Sequence, residues 1–338
     1  MAILGQGIVP SGSIGSELTY VTRRAFIPKL VVQIYNASPL ISALIANAQM
    51  ASGGVSGVTV PVQGTAMVQS AWSDYTGTFA QPAVTPGITN AEYNLDLNVT
   101  PVPFLGMEGA VQINAAIIPI IEARMNDAGN AVVDQLSTTL FTAGTTDQSM
   151  LSLPDIISSS NPASGASNIG GIDRSANTFW QAKVIDAGGT DPTRNKMLEA
   201  IVSTVKNSAE MPDFGVMGPG TWAKLAQDYT GLERYNIAPG SSFDQDPNGA
   251  RALFTALMVS GVPFYFDPYM PEGYAYLINM NYLNLYIHEA GQFVFTGFES
   301  TLPNWQVGYV GAVLTIAELV STKPKSMTKV TGYNYLNI

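Results

Sequence analysis

The stretch at 117–141, IIPIIEARMNDAGNAVVDQLSTTLF, decides the reading of this chain. Ile117, Ile121, Met125, Ala128, Val132, Leu136 and Leu140 recur at spacings of three and four, which lays them along one face of an α-helix. Running from Ile117 to Phe141, such a helix spans ~37 Å at 1.5 Å per residue and works as a strut. Pro119 fits only in its first turn or at a kink, because proline lacks the N–H and crowds the preceding turn. Gly129 weakens the middle, and Gly144 is a suitable stop.

The stretch before this helix is organised differently. From Leu30 to Ala123 there is no Lys or Arg, and Gly, Pro and Thr are frequent. Val58–Val62 reads as a strand. In Glu92–Val99 the residues Tyr93, Leu95, Leu97 and Val99 alternate with polar ones, the period of a half-buried strand. Trp72, Tyr75 and Phe79 lie between the two among turn formers. A compact domain rarely holds so long a connection without structure of its own. The economical reading is a long two-stranded arm whose apolar tip is covered by a neighbour. Residues 1–50 read as an arm with a basic cluster at Arg23, Arg24 and Lys29, then a helix over Ser38–Ala48 with Ser38 as cap and Pro39 at its first position. The basic cluster suits subunit salt bridges or solvated charge, with contact to DNA or acidic partners as the alternative.

After the strut, residues 144–175 are rich in Ser, Gly, Asn and Pro and read as a surface excursion or linker. A second helix is expected over Pro192–Asn207, capped by Asp191, with Leu198, Ile201, Val202 and Val205 on one face. Phe214–Met217 reads as a buried strand. Helices at Thr221–Asp228, capped by Thr221, and near Ala250–Val259 follow. Aromatic strands come next at Val262–Phe266, Tyr274–Asn279 and Leu283–His288, then a bent strand within Val307–Val320. The tail carries Lys323, Lys325 and Lys329 with no acid. This is α+β organisation in two lobes, without tandem repeats.

Composition narrows the function. Of 338 residues, 46% are apolar and only 12% charged, with 15 Tyr and 13 Phe, about half the usual charged share of ~25%. Much of the surface is therefore expected to become interface; a β-rich globule with a neutral surface is the plainer alternative. The net charge of −10 argues against gripping nucleic acid, though not against enclosing it. The absence of Cys excludes disulfides and thiolate sites. No secretory signal is read at Met1–Pro10, and no run reaches the ~20 apolar residues that cross a bilayer. His288 is the sole histidine, which excludes two-His metal motifs. Gly5-Gln6-Gly7 is too poor a dinucleotide loop, and Gly218-Pro219-Gly220 lacks the Lys of a phosphate loop. Asp244 and Asp246 read as solvated loop carboxylates, with a divalent ion as the alternative. No catalytic site, cofactor or metal is expected.

Several segments carry a resemblance. Pro86-Gly87-Ile88-Thr89-Asn90-Ala91-Glu92-Tyr93-Asn94 resembles the return strand of the extended loop of tailed-phage major capsid proteins. Leu136-Ser137-Thr138-Thr139-Leu140-Phe141-Thr142-Ala143-Gly144 is similar to the end of their spine helix. Gly170-Gly171-Ile172-Asp173-Arg174-Ser175, with Phe179-Trp180 just after, is similar to a stretch of one branch of that family. Pro212-Asp213 and Gly261-Val262-Pro263-Phe264 fit it too, and the matches fall in the right order over nearly the whole chain.

The resemblance implies the Hong Kong 97 fold. Residues 1–50 would be an N-terminal arm and 51–104 the extended loop. Residues 105–205 would form a peripheral domain with the spine helix at about 117–141 and the surface excursion at 144–175. The axial domain would be 206–300, and 301–338 a return strand and C-terminal tail. It further implies a non-enzymatic subunit that builds pentamers and hexamers of an icosahedral head around double-stranded DNA, without sequence-specific binding. The expected partners are copies of itself, a separate scaffolding protein, a portal protein and a decoration protein, with no membrane. Assembly would occur in the host cytoplasm and the final location would be the virion. Trp72, Tyr75 and Phe79 are the expected anchors of loop overlap, with Arg23 and Arg24 as further inter-subunit contacts. Some family members crosslink through a Lys in the extended loop; residues 51–104 contain none, so no such crosslink is expected. An encapsulin-like shell is the first alternative, and a secreted β-rich surface protein the second.

Overall fold

The computed structural model describes residues 38–52, 56–65, 87–105, 120–143, 149–159, 168–233, 256–300 and 308–337. They divide into two compact units, one from 98–135 and 291–315, the other from 36–97, 136–290 and 316–338. Five helices are described: α1 (Pro39–Ala46), α2 (Ile120–Phe141), α3 (Leu153–Ile156), α4 (Arg194–Ser208) and α5 (Pro219–Glu233).

The strut is real over its described length. In α2, Ala128, Val132, Leu136 and Leu140 are buried at spacings of four, with Ser137 beside them, while Gly129 is exposed with open space around it. Its start at Ile117–Pro119 lies outside the described residues. In α1 the Ser38 hydroxyl accepts from the Ile41 N–H at 3.3 Å, and Pro39 opens the helix as expected. Ser38 also donates to the buried Asp267 carboxylate, which ties this cap to the second unit's larger sheet.

In the second unit, β7 (Lys183–Asp186), β8 (Phe214–Met217), β9 (Leu257–Val259), β10 (Val262–Phe266), β11 (Ala275–Ile278) and β16 (Thr328–Thr331) form a sheet in the order β7-β16-β11-β8-β10-β9. Met197, Ala200 and Ile201 of α4 and Leu225 of α5 share a buried cluster with Met217, Val262, Phe264, Leu277 and Val330 of the sheet. At about 25 cal/mol per Å² of apolar surface, this layer is a principal source of the unit's stability. Gly215 leaves room for the Phe264 ring, since a Cβ there would sit 2.5 Å from it.

Four expected details give way here. α4 starts at Arg194 with Thr193 as its cap, the hydroxyl accepting from the Lys196 N–H at 3.4 Å. Asp191 instead pairs with Lys224 at 2.8 Å and accepts from the Asn334 amide. The buried stripe of α4 is Met197, Ala200, Ile201 and Thr204, whereas Leu198, Val202 and Val205 are exposed. Thr221 is not a cap either: α5 begins at Pro219, and the Glu272 carboxylate accepts from the N–H groups of Gly220 (2.8 Å) and Thr221 (3.0 Å). A distant acid thus supplies the anion that a helix start favours. Finally, Leu257–Val259, expected to end a helix, is a strand turning through Ser260-Gly261 into β10; both turn residues have positive φ, the backbone of a tight hairpin. The rest of the expected helix at Ala250–Val259 lies almost wholly outside the described residues.

A second sheet is built around β15 (Gly308–Ser321). In the second unit β1 (Gln49–Ala51) pairs in parallel with β12 (Leu283–His288), and β12 pairs antiparallel with the Ala317–Ser321 end of β15. In the first unit β13 (Val294–Phe295) and β14 (Glu299–Ser300) pair with the earlier part of β15, and β4 (Asp96–Leu105) also pairs with this strand.

The strand expected over Glu92–Val99 is two strands. β3 (Ile88–Asn94) pairs antiparallel with β2 (Gly57–Gln63) as a sheet of its own, from Gly57↔Asn94 to Gln63↔Ile88. The pairing ends at Leu95, whose N–H goes to the Ser56 carbonyl, and β4 then joins another sheet. A strand that changes sheets does not keep one buried face. Tyr93 is buried, but Leu97 and Val99 are 54% and 49% exposed.

Candidate functional site

The arrangement at the base of the β2–β3 hairpin is built by the stretch that carried the resemblance. β5 (Asn168–Ile169) and β6 (Ile172–Asp173) make a miniature hairpin through Gly170 and Gly171, at φ +58° and +73°. This turn needs two left-handed residues, which glycine supplies at least cost. The Gly170 carbonyl accepts from the Glu92 N–H at 2.9 Å, and a Cβ on Gly170 would meet that of Ala91 at 2.9 Å. The Phe179 ring lies against Gly64, where no side chain intervenes. On β3 the Tyr93 hydroxyl donates to the Ser321 carbonyl at 2.7 Å. Turn, ring and phenol together hold the β2–β3 pair against the rest of the second unit.

Beneath lies a polar cluster that the sequence did not announce. Arg174 is fully buried, its guanidinium donating to the carbonyls of Asp155, Ile156 (3.4 Å) and Ser158 (3.3 Å). Burial lowers its pKa to about 10, opposed by the Asp155 carboxylate, so it remains a cation at neutral pH. Asp155 and Ser152 cap α3 reciprocally, the serine hydroxyl donating to the carboxylate at 2.6 Å. Trp180 donates its indole N–H to the Ile169 carbonyl at 3.0 Å. Within the segment expected as a surface excursion, 152–158 is interior, and 168–175 alternates buried residues with the exposed Asn168, Gly171 and Ser175; Leu153, Ile156, Ile157 and Arg174 are at 0% exposure. An arginine fork converging on chain carbonyls makes this polar segment burial-competent. On β15, Glu318 is buried and accepts from the Leu151 N–H at 3.0 Å; burial raises its pKa to about 8. A lone acid in the apolar run Val307–Val320 was the available signal for Glu318, whereas nothing local marked Arg174.

The acid-free tail resolves into separate roles. Lys323 pairs with Glu210 at 2.5 Å and lies 5.1 Å from the centre of the Tyr282 ring. Lys329 sits over the rings of Tyr274 and Tyr276, and burial lowers its pKa. His288 accepts from the Ala290 N–H through Nδ1 at 3.0 Å, a local turn contact. Gly218 and Gly220 leave space for Glu272 and the Leu336 carbonyl, which is a packing role. Among the described residues no group of three or more His, Asp or Glu side chains is placed to hold a metal, and no helix is long and apolar enough to cross a membrane.

The surface carries uncovered apolar stripes. On α4, Leu198, Val202 and Val205 are 41%, 58% and 37% exposed at spacings of four and three. In the first unit Phe293, Val294, Phe298, Tyr309 and Val310 are also exposed. Tyr309 and Val310 are adjacent on β15 and so point to opposite sheet faces. Scattered exposed apolar residues are ordinary, whereas a stripe on one helix face is a patterned exposure. The expected contact residues Arg23, Arg24, Trp72, Tyr75 and Phe79 lie outside the described residues, as do Gly5, Gly7, Asp244 and Asp246.

The fold defines a class. It is the α+β Hong Kong 97-type shell fold, established by likeness to solved structures across almost the whole chain. The capsid asymmetric unit of cyanophage A-1(L) is similar at a TM-score of 0.69, with 14% identity, covering 92% of this chain and 96% of that one. The mature capsid of bacteriophage PhiM1 has a TM-score of 0.57 at 11% identity, covering 93% and 92%. The SrpI encapsulin complex from Synechococcus elongatus PCC 7942 has a TM-score of 0.57 at 12% identity, covering 96% and 98%. No family model and no curated protein matches the sequence.

Proposed function

We propose that this chain is the major capsid protein of a tailed bacteriophage, a non-enzymatic subunit forming pentamers and hexamers of an icosahedral head around double-stranded DNA. The carrying observation is that its fold follows the cyanophage A-1(L) capsid chain over more than nine-tenths of both lengths. The exposed stripe on α4 and the exposed Tyr309 and Val310 side chains of β15 support this reading, since a shell subunit needs several modest contact surfaces that cooperate on closure.

In this assembly residues 1–50 act as the N-terminal arm and 51–104 as the extended loop over a neighbour, with Trp72, Tyr75 and Phe79 as its anchors. Residues 105–205 form the peripheral domain, 206–300 the axial domain, and 301–338 the return strand and tail. Arg23 and Arg24 contribute inter-subunit pairs. A separate scaffolding protein sets the size of the shell, a portal occupies one vertex, and a decoration protein adds to the outside. Assembly proceeds in the host cytoplasm and the product is the virion.

The likeness to the SrpI encapsulin favours one second reading, a shell that encloses protein cargo. Electron microscopy of the recombinant chain, alone and with a scaffolding protein from the same source, tests the main proposal. Closed shells or capsomers support it, and a strict monomer at high concentration in both cases refutes it. Particles from the native source that hold protein and no DNA would move the assignment to the encapsulin reading.

A further inference from the structure

The acid-free tail leaves one charge uncompensated. Lys323 has Glu210 and Lys329 has two tyrosine rings, but Lys325, half-buried in the turn Pro324–Ser326, has no acidic partner among the described residues. It borders a cleft of about 340 Å³ together with Lys183, Ser159, Thr178, Gln181 and Asn207. Lys183, at the start of edge strand β7, has no ion pair either. It also borders a second cleft containing Asp186 and Glu199, yet pairs with neither carboxylate. The Asn207 amide donates to the Lys325 carbonyl at 3.0 Å, which fixes the chain at the cleft wall.

The chemistry of this lining is one-sided. The chain has 25 acidic and 15 basic residues, yet among the described residues the cleft's lining holds two lysines and no carboxylate. Two lysines bordering one polar cleft make it electropositive, and an anion bound there offsets that charge. The hydroxyls of Ser159 and Thr178 add donors suited to phosphate oxygens.

From this geometry we infer that the Lys183–Lys325 cleft is a phosphate site that takes a phosphodiester of the enclosed DNA, independent of base sequence. The identity of the anion as DNA rests on the capsid reading; the anion site itself does not. The contact adds a fixed point on a chain whose overall charge otherwise repels the polymer, and it carries no sequence information because phosphates alone are touched.

The test uses the full chain and a labelled 20-base-pair duplex, read by fluorescence anisotropy against salt. The variants are Lys183→Gln/Lys325→Gln, with Lys196→Gln as control because Lys196 is exposed and paired with Glu199. Each phosphate contact contributes about 0.9 to the slope of log affinity against log salt, so the double variant, which removes one such contact, loses about 1 from that slope. Its affinity at low salt falls about tenfold or more, the control stays within about twofold, and millimolar inorganic phosphate competes. An unchanged slope in the double variant overturns the site. Binding of inorganic phosphate without the duplex, or preference for polyglutamate over DNA, overturns the DNA assignment. Micrographs of the same proteins separate the two ideas: shells with unaltered DNA binding sink the cleft alone, whereas failure of the wild-type chain to assemble even with a scaffolding protein sinks the capsid reading.

Discussion

Raising the pH from 6 to 8 should weaken this protein, and Glu318 should account for it. The side chain is 2% exposed on β15, where its oxygen accepts from Leu151, and burial lifts its pKa to about 8 with Asp96 pushing the same way. The neighbouring Tyr93 phenol is itself pushed up, first by burial and then by the Glu318 charge. An unfolded glutamate titrates near 4.3. The folded state therefore keeps a proton that the unfolded state has released. Stability from this group is complete below about pH 4.3 and is lost as pH rises through about 8. Integrating the two titrations over pH 6 to 8 gives a loss of about 2 kcal/mol. Urea unfolding at pH 6, 7 and 8, followed by the fluorescence of the buried Trp180, measures it in the wild type and in Glu318→Gln, which keeps an acceptor for Leu151 but cannot ionise. The wild-type midpoint should fall across this range and the variant's should fall less by the equivalent of about 2 kcal/mol. Equal pH dependence in the two proteins refutes the argument.

Other outcomes follow from the same geometry. Arg174→Met strands the carbonyls of Asp155, Ile156 and Ser158, at about 1 kcal/mol or more each, so a loss of at least ~3 kcal/mol is expected in chemical denaturation; a cost under ~1 kcal/mol would contradict the buried fork. Gly220→Ala places a methyl against the Leu336 carbonyl and should raise amide exchange at Leu336, whose N–H donates to the Gly220 carbonyl. Leu198→Gln with Val202→Gln should leave stability within about 0.5 kcal/mol while lowering shell yield; unchanged shells would show that the α4 stripe faces solvent. Boiled, denatured shells should run as single chains on a gel, because residues 51–104 supply no lysine for a crosslink; a ladder of multimers would contradict this.

Local signals were legible where local physics decides. The periodicity of α2 and the Ser38-Pro39 start of α1 act within a turn or two, and both were readable. α4 was harder: it carries two apolar stripes, and spacing alone does not say which faces the sheet and which faces outward. Asp191 is the expected cap, but Thr193 takes that place while Asp191 is engaged by Lys224 and Asn334. The acid at the start of α5 comes from Glu272, some fifty residues further along the chain, with no mark beside the helix. Arg174 defeats composition-based reasoning for another reason. Arginine is almost never fully buried unless paired, and its partners here are carbonyls, which every residue owns. Of the site, the sequence exposed the glycine turn and the acid-free tail; the convergence of Lys325 with Lys183 is tertiary.

Strand β16 has a consequence for synthesis. It lies between β7 and β11, parallel to one and antiparallel to the other, and brings Val330 into the core with Tyr333 just beyond it. The strands on either side emerge from the ribosome first, so the nascent sheet has a gap in the middle until translation has passed Thr331. Chains released early, through a nonsense codon or a stalled ribosome, lack this bridging strand and leave apolar surface open to chaperones and proteases. Such fragments lack a core strand, so the order of the strands acts as a checkpoint that lets only nearly complete polypeptides reach the folded state.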